Sequence, residues 1–209
     1  MYKVLIADDH AVVRKGLKQF FHERIDITVA GEARNGLEAL EMVRREDWDV
    51  LILDISLPLR NGMEVLQEVR RSKPRLPVLI LSVYPEEQFG IRVLKAGAAG
   101  YLNKATALDE LVTAINRVIA GGKYVSPALA ERFAYELSGD LNRTPHEMLS
   151  DREYDVMRML GAGKPPAHIA QELVLSVKTI STYRTRVLNK LNLKSNAELI
   201  RYVMENDLA

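Results

Sequence analysis

Short apolar runs of strand length alternate, through the first half of this chain, with segments whose apolar residues recur every three or four positions. The runs are residues 4–7, 27–31, 50–54, 78–82 and 100–103, and the helical patterns cover 10–24, 35–46, 61–72, 86–96 and 107–120. Strands alternating with helices predict right-handed βαβ units and a parallel sheet. The runs are nearly continuous in apolar residues, as expected of a sheet covered on both faces. The last helix of this part has a start signal at Thr106, with Asp109 three residues on, and a stop at Gly121-Gly122.

Beyond the glycines the pattern changes. Ser126-Pro127 supplies an N-cap and a first helical residue for a short helix to about Leu137. Residues 138–145 lack periodicity and are rich in turn formers, which predicts a flexible linker. The remainder carries no strand signal. Ser150 and Glu153 form a capping-box pattern opening a helix with Tyr154, Met157 and Leu160 on one face, ended by Gly161-Ala162-Gly163. A helix over 165–173, a longer one from Ser176 to about Leu191 and a last one opened by Ser195 and Glu198 through Val203 follow. Short helices with a tight turn between the second and third predict a helix-turn-helix.

Polar residues stand where the apolar runs end: Asp8 and Asp9, Asp54, Ser82, and Lys104. In a parallel sheet the carboxyl ends of the strands form the ligand crevice. A carboxylate can act as nucleophile toward a phosphoryl group, and Asp54 ends the central run. Asp8 and Asp9 offer hard oxygen ligands to magnesium, which takes one or two carboxylates beside water and phosphate. Lys104 offers a compact cation and Ser82 a hydroxyl donor for phosphoryl oxygens. Any one of these alone would be an ordinary cap, turn or surface charge. Their joint placement at strand ends is what points to phosphoryl chemistry.

A length of 209 residues accommodates two domains, each with a core of its own. With 47% hydrophobic and 27% charged residues the composition is that of a globular protein, and no stretch approaches the roughly 20 apolar residues of a membrane span. The N-terminus enters a strand pattern without a leader-like segment, and cysteine is absent, so a cytoplasmic location is expected. The net charge of +1 conceals an asymmetry: between Ser176 and Lys194 stand Lys178, Arg184, Arg186, Lys190 and Lys194, with no acidic residue. Such a helix implies an anionic partner.

The segments Asp8-Asp9-His10, Asp54 through Gly62, Ser82, and Gly97 through Lys104 together resemble the receiver domain of bacterial two-component response regulators, over about residues 1–121. The resemblance implies a flavodoxin-like fold with strand order 2-1-3-4-5. It further implies phosphorylation of Asp54 by a histidine kinase or phosphotransfer protein, and self-catalysed loss of the phosphoryl group rather than enzymatic turnover. Mg²⁺ would be held by Asp8, Asp9, Asp54 and the backbone carbonyl of Ser56, and Ser82 and Tyr101 would move together as a switch. The chain departs from the common pattern at Ser82, where Thr is usual, at Val83, where a small residue is frequent, and at Leu57, where Met is common.

The C-terminal segments Leu149 to Glu153, Ile169 to Leu173, Ser176 to Ile180 and Lys190-Leu191 resemble the LuxR-type helix-turn-helix of NarL/FixJ-class regulators, over about residues 147–207. Helical phase places Ile180, Val187, Leu188 and Leu191 toward a core. The opposite face is assigned to promoter DNA: Ser181, Thr182 and Thr185 to base edges, and Lys178, Thr179, Arg184 and Arg186 mainly to phosphates. The family binds DNA as a dimer, which two half-sites would require of so small a module.

The sequence thus predicts a receiver at 1–121, a linker with a short helix at 122–146 and a DNA-binding domain at 147–209. The expected function is a transcriptional regulator, dimeric when phosphorylated, with RNA polymerase as a further candidate partner and no membrane association. An aspartyl-phosphate hydrolase would commonly carry a second Asp two residues beyond the nucleophile, and that position is Ser56. A regulator working without phosphate would not need the retained pocket.

Overall fold

The structure, a computed structural model, describes residues 1–84, 86–105, 107–138, 144–206 and 208. The chain divides into two compact units, Met1–Asp140 and Leu141–Ala209.

In the first unit, β1 (Tyr2–Ala7), β2 (Ile27–Ala33), β3 (Val50–Leu53), β4 (Val78–Ser82) and β5 (Gly100–Asn103) form one parallel sheet in the order β2-β1-β3-β4-β5. Helices α1 (Ala11–His22), α2 (Gly36–Arg45), α3 (Gly62–Ser72), α4 (Glu86–Lys95) and α5 (Ala107–Ile119) connect the strands and follow them. Every residue of β3 and β4 is buried, as the unbroken apolar runs require. One core layer joins Val4, Ile6, Ile52, Leu79 and Leu81 of the sheet to Phe21 of α1 and to Leu111, Ile115 and Val118 of α5. Strand β2 runs two residues beyond the expected 27–31, because Glu32 and Ala33 keep pairing with Ile6 and Ala7. The polar Glu32 is tolerated there because Lys18 and Arg14 face it, at 2.5 and 3.5 Å.

Asn35 and Asn61 cap α2 and α3 by accepting from the N–H groups of Glu38 and Glu64. Gly62, at the first position of α3, is a spatial necessity: a Cβ there would stand 2.1 Å from the Asp54 carbonyl oxygen. Gly121 ends α5 in a left-handed conformation at φ 85°, as its stop signal predicts. The start expected at Thr106, with the Asp109 side chain, lies outside the described residues, as does most of the stretch 138–145.

Helix α6 (Pro127–Ser138) forms at the Ser126-Pro127 signal, with Leu129 N–H donating to Ser126 Oγ at 3.0 Å. The helix expected within 122–146 packs against α4 and falls in the first compact unit.

The second unit has a 3₁₀ turn (Pro145–Met148) and helices α7 (Asp151–Gly161), α8 (Pro166–Glu172), α9 (Val177–Lys190) and α10 (Asn196–Glu205). The capping box at Ser150 and Glu153 closes as predicted. At α10 the Ser195 cap forms, but Glu198 reaches the N–H of Lys194, one residue further out. Gly161 is not a stop but the last residue of α7, and a Cβ on it would lie 2.5 Å from Val203 of α10. The left-handed stop is Gly163, at φ 78°. Ile169, Ile180, Val187, Leu188, Leu199 and Val203 are buried, so the apolar phase seen in the sequence is the core phase. No helix among the described residues is long and apolar enough to cross a membrane.

Lys190 of α9 pairs with the buried Glu153 carboxylate at 2.6 Å. Burial alone would raise the Glu153 pKa, but the hydrogen bonds from Lys190 and the Ser150 N–H outweigh it and hold it below the ordinary 4.5. A depressed folded-state pKa adds stability above the unfolded value, and that stability is lost as pH falls through the folded one. Exchange of the α7 and α9 amides should therefore accelerate as pH falls below 4.5 in the wild type, after correction for intrinsic rates, and Glu153→Gln should flatten that dependence. A separate expectation concerns Gly62→Ala, which should lower the urea midpoint of the first unit by the equivalent of about 1–3 kcal/mol, since backbone must shift to admit the methyl.

Candidate functional site

The parallel register brings the strand ends level. Ala7 of β1 pairs with Leu53 of β3, and Ser82 of β4 with Asn103 of β5, so Asp8, Asp54 and Lys104 emerge together at one edge. Backbone bonds fix them there: Asp54 N–H donates to Ala7 O at 2.8 Å and Lys104 N–H to Ser82 O at 2.8 Å. Asp8 and Asp54 are each 2% exposed. Lys104 Nζ lies 2.7 Å from Asp54 Oδ2 and 2.7 Å from Asp8 Oδ2, so one ammonium is shared by two buried carboxylates. Asp54 Oδ1 accepts the Ser56 N–H at 3.3 Å.

The electrostatics follow from this sharing. Burial pushes the Asp54 pKa up, and the Lys104 cation offsets only part of that push. Burial alone would lower the Lys104 pKa, but Asp54 and Asp8 together raise it, so the ammonium stays charged. A cation and a carboxyl poised this way suit attack on an anionic phosphoryl donor.

Asp8, Asp9, His10 and Asp54 each offer one ligand atom within 4.8 Å of the others. The donor set is mainly carboxylate oxygen, which suits a hard divalent cation. Asp8 Oδ2 is buried and meets Lys104 as an ion pair without a directed hydrogen bond, so it has coordinating capacity to spare. These residues fit such a cation.

Two groups here were not among the candidates from sequence. His10 donates its N–H to Asp8 Oδ1 at 2.8 Å and sets Nδ1 2.7 Å from Asp9 Oδ1. Arg14, 7% exposed, donates from Nη1 to the Asp8 carbonyl at 2.6 Å and supports the loop from behind. The available signal was phase, because Arg14 shares the buried face of α1 with Leu17 and Phe21.

Ser82 is fully buried, and its Oγ accepts the Tyr84 N–H at 3.3 Å. Tyr101 is buried as well and donates its hydroxyl to Tyr84 O at 2.7 Å, and burial raises its pKa. Tyr84 thus sits between them, with its own hydroxyl accepting from Ser56 Oγ at 3.0 Å. Val83, 60% exposed, lies beside Ser82 at the rim.

On α9, Lys178, Ser181, Thr182, Thr185 and Arg186 are exposed, opposite the buried Ile180, Val187 and Leu188. The hydroxyls of Ser181, Thr182 and Thr185 donate back to the carbonyls of Val177, Lys178 and Ser181, at 3.0 to 3.1 Å. Their oxygens keep acceptor capacity, and the rotors can turn outward. Two assigned residues are engaged within the unit. Thr179 Oγ1 lies 2.8 Å from the capping Ser176 Oγ, and Arg184 Nε donates to Asn196 Oδ1 of α10 at 2.6 Å. Lys190, part of the basic run, is committed to Glu153 and Met148 O.

Known proteins match both units. Residues 4–116 fit the response regulator receiver domain family, and residues 147–203 fit the luxR family of bacterial regulatory proteins. The chain is 37% identical over 200 residues to the response regulator GacA of Pseudomonas syringae pv. syringae, covering 95% of this chain and 94% of that protein. It is 35% identical over 213 residues to the oxygen regulatory protein NreC of Staphylococcus carnosus, covering 99% and 98%. Among solved structures, RcsB of Salmonella typhimurium superposes with a TM-score of 0.71 at 25% identity, covering 98% of this chain and 97% of that one. The chain belongs to the NarL/FixJ class of two-component response regulators, with a receiver domain followed by a LuxR-type helix-turn-helix domain.

Proposed function

We propose that this protein is a phosphorylation-controlled transcription factor. A histidine kinase or phosphotransfer protein transfers a phosphoryl group to Asp54, and the modified chain binds promoter DNA as a dimer through α9. The observation that carries this reading is the single Lys104 ammonium shared by Asp54 and Asp8 in an acidic, buried pocket.

In the transfer, an Asp54 oxygen attacks phosphorus, a P–O bond forms, and the P–N bond of the donor phosphohistidine breaks with its electron pair leaving on imidazole. Lys104 holds one phosphoryl oxygen electrostatically and Ser82 donates its hydroxyl to another. Asp8, Asp9, Asp54 and the Ser56 carbonyl would hold Mg²⁺, which supplies positive charge against the three carboxylates and the incoming anion. Ser82 and Tyr101 then rearrange together. Self-catalysed hydrolysis of the aspartyl phosphate ends the signal, and Val83 at the rim bears on how long it lasts.

For the output, a structure of two RcsB dimers bound to two parallel DNAs provides the analogy. Lys178, Thr179, Arg184 and Arg186 position α9 on phosphates while Ser181, Thr182 and Thr185 face base edges. A receiver at 1–121, a DNA-binding domain from 147, a cytoplasmic location and contact with RNA polymerase at promoters complete the reading.

Acetyl phosphate with Mg²⁺ should add one phosphoryl group by intact mass, and Asp54→Asn should abolish it; persistence in the variant would assign the acceptor elsewhere. Lys178→Ala should weaken binding to all DNA sequences and reduce the salt slope by about one, whereas Thr182→Ala should change sequence preference, both measurable by fluorescence anisotropy.

A further inference from the structure

The segment that follows α5 is built into the first unit at three places. Tyr124 N–H donates to Ala99 O at 2.9 Å and Tyr101 N–H to Tyr124 O at 3.2 Å, so residue 124 extends pairing at the edge of β5. Ser126 Oγ donates to Glu86 Oε2 at 2.5 Å while accepting Leu129 N–H at 3.0 Å, so one hydroxyl caps α6 and ties it to the first residue of α4. Leu129, 2% exposed, lies on Gly90, where a Cβ would stand 2.7 Å from both of its methyl carbons.

The residue before Gly90 packs on Tyr84, a neighbour of the pocket residues. Phe89 is fully buried and stacks on Tyr84 with centroids 4.6 Å apart and planes 17° apart. Tyr84 in turn meets the pocket through every polar atom it has: its hydroxyl meets Ser56 Oγ, its N–H meets Ser82 Oγ, and its carbonyl receives the Tyr101 hydroxyl. Three contacts, Ser56 with Tyr84, Tyr84 on Phe89 and Leu129 against Gly90, therefore lead from the Asp54 loop to α6.

We propose that α6 is an intrachain latch, seated on α4 while Asp54 is unmodified and released when Asp54 carries a phosphoryl group. This rests on the reading of Asp54 as phosphoacceptor. In the seated state the Ser82 Oγ accepts the Tyr84 N–H, and the Tyr101 hydroxyl donates to the Tyr84 carbonyl. Drawing the Ser82 hydroxyl to a phosphoryl oxygen displaces residues 82–84, and the stacked Phe89 carries that displacement into α4. The seat has no slack, since even a methyl group at Gly90 would overlap Leu129. Release frees the twelve residues of α6 as additional tether before the second unit begins at Leu141. Phosphorylation and seating then oppose one another, and the coupling is reciprocal: whatever unseats α6 strengthens binding of a phosphoryl mimic.

The test uses the full chain with BeF₃⁻ and Mg²⁺ as the mimic. Hydrogen exchange at the amides of residues 130–134 should speed up about tenfold on BeF₃⁻ binding while α1 is unchanged. Ser126→Ala, which cuts a half-buried tie, and Gly90→Ala, which crowds Leu129, should each lower the BeF₃⁻ midpoint by about fivefold, followed by the ¹⁹F signal of bound BeF₃⁻. Binding of BeF₃⁻ with α6 exchange unchanged or slowed would overturn the latch alone. So would an acceleration shared equally by α1, or an unchanged midpoint in both variants. Failure of the wild type to bind BeF₃⁻, or undiminished binding by Asp54→Asn, would overturn the phosphoacceptor reading and the latch with it.

Discussion

One ammonium group holds the first unit's chemistry together. Lys104 comes from the end of β5 and reaches across β4 to Asp54 beyond β3 and Asp8 beyond β1, at 2.7 Å from each. Two carboxylates this buried would repel one another without a cation between them, and one cation does not satisfy both fully. Burial raises the Asp54 pKa and Lys104 offsets only part of the rise, while Asp8 keeps an oxygen lacking a directed hydrogen bond. The site is thus built with room for a further positive charge, and the sheet order is what allows three strand ends to contribute to it.

The second unit solves a different problem. A short helical module must expose a polar face of α9 while anchoring the opposite face, and few apolar residues are available to do it. Ile180, Val187 and Leu188 provide the anchor, and side-chain caps begin α7, α9 and α10. The Lys190–Glu153 pair ties the end of α9 back to the capping box of α7. A charge that would otherwise add to the basic surface is spent on fixing the helix that carries it.

Helix α6 connects the two themes. A segment that could have been only a tether is joined to β5 by Tyr124, to the start of α4 by Ser126 and to the middle of α4 by Leu129. Its seat lies on the same helix whose Phe89 packs against the pocket residue Tyr84. Packed side chains thus run from the Asp54 loop through Ser56, Tyr84 and Phe89 to α4, and from Gly90 of α4 to Leu129 of α6.

The amino-acid sequence by itself marked the ends of β1, β3, β4 and β5, where Asp8, Asp54, Ser82 and Lys104 stand, and the caps at Ser126, Ser150, Ser176 and Ser195. Those signals are local: an apolar run, a period, a capping residue, a side chain with one chemical habit. The apolar phase of α9 was legible for the same reason, because its period lies within the helix. Only the tertiary structure decided partners distant along the chain. It set Arg14 beneath Asp8, diverted Lys190 to Glu153 and Arg184 to Asn196, carried β2 on to Ala33 and seated α6 on Gly90. Periodicity tells which face of an element is buried but not which residue waits opposite it. A basic residue looks the same in sequence whether it meets phosphate, a buried carboxylate or a carbonyl, and only packing assigns it.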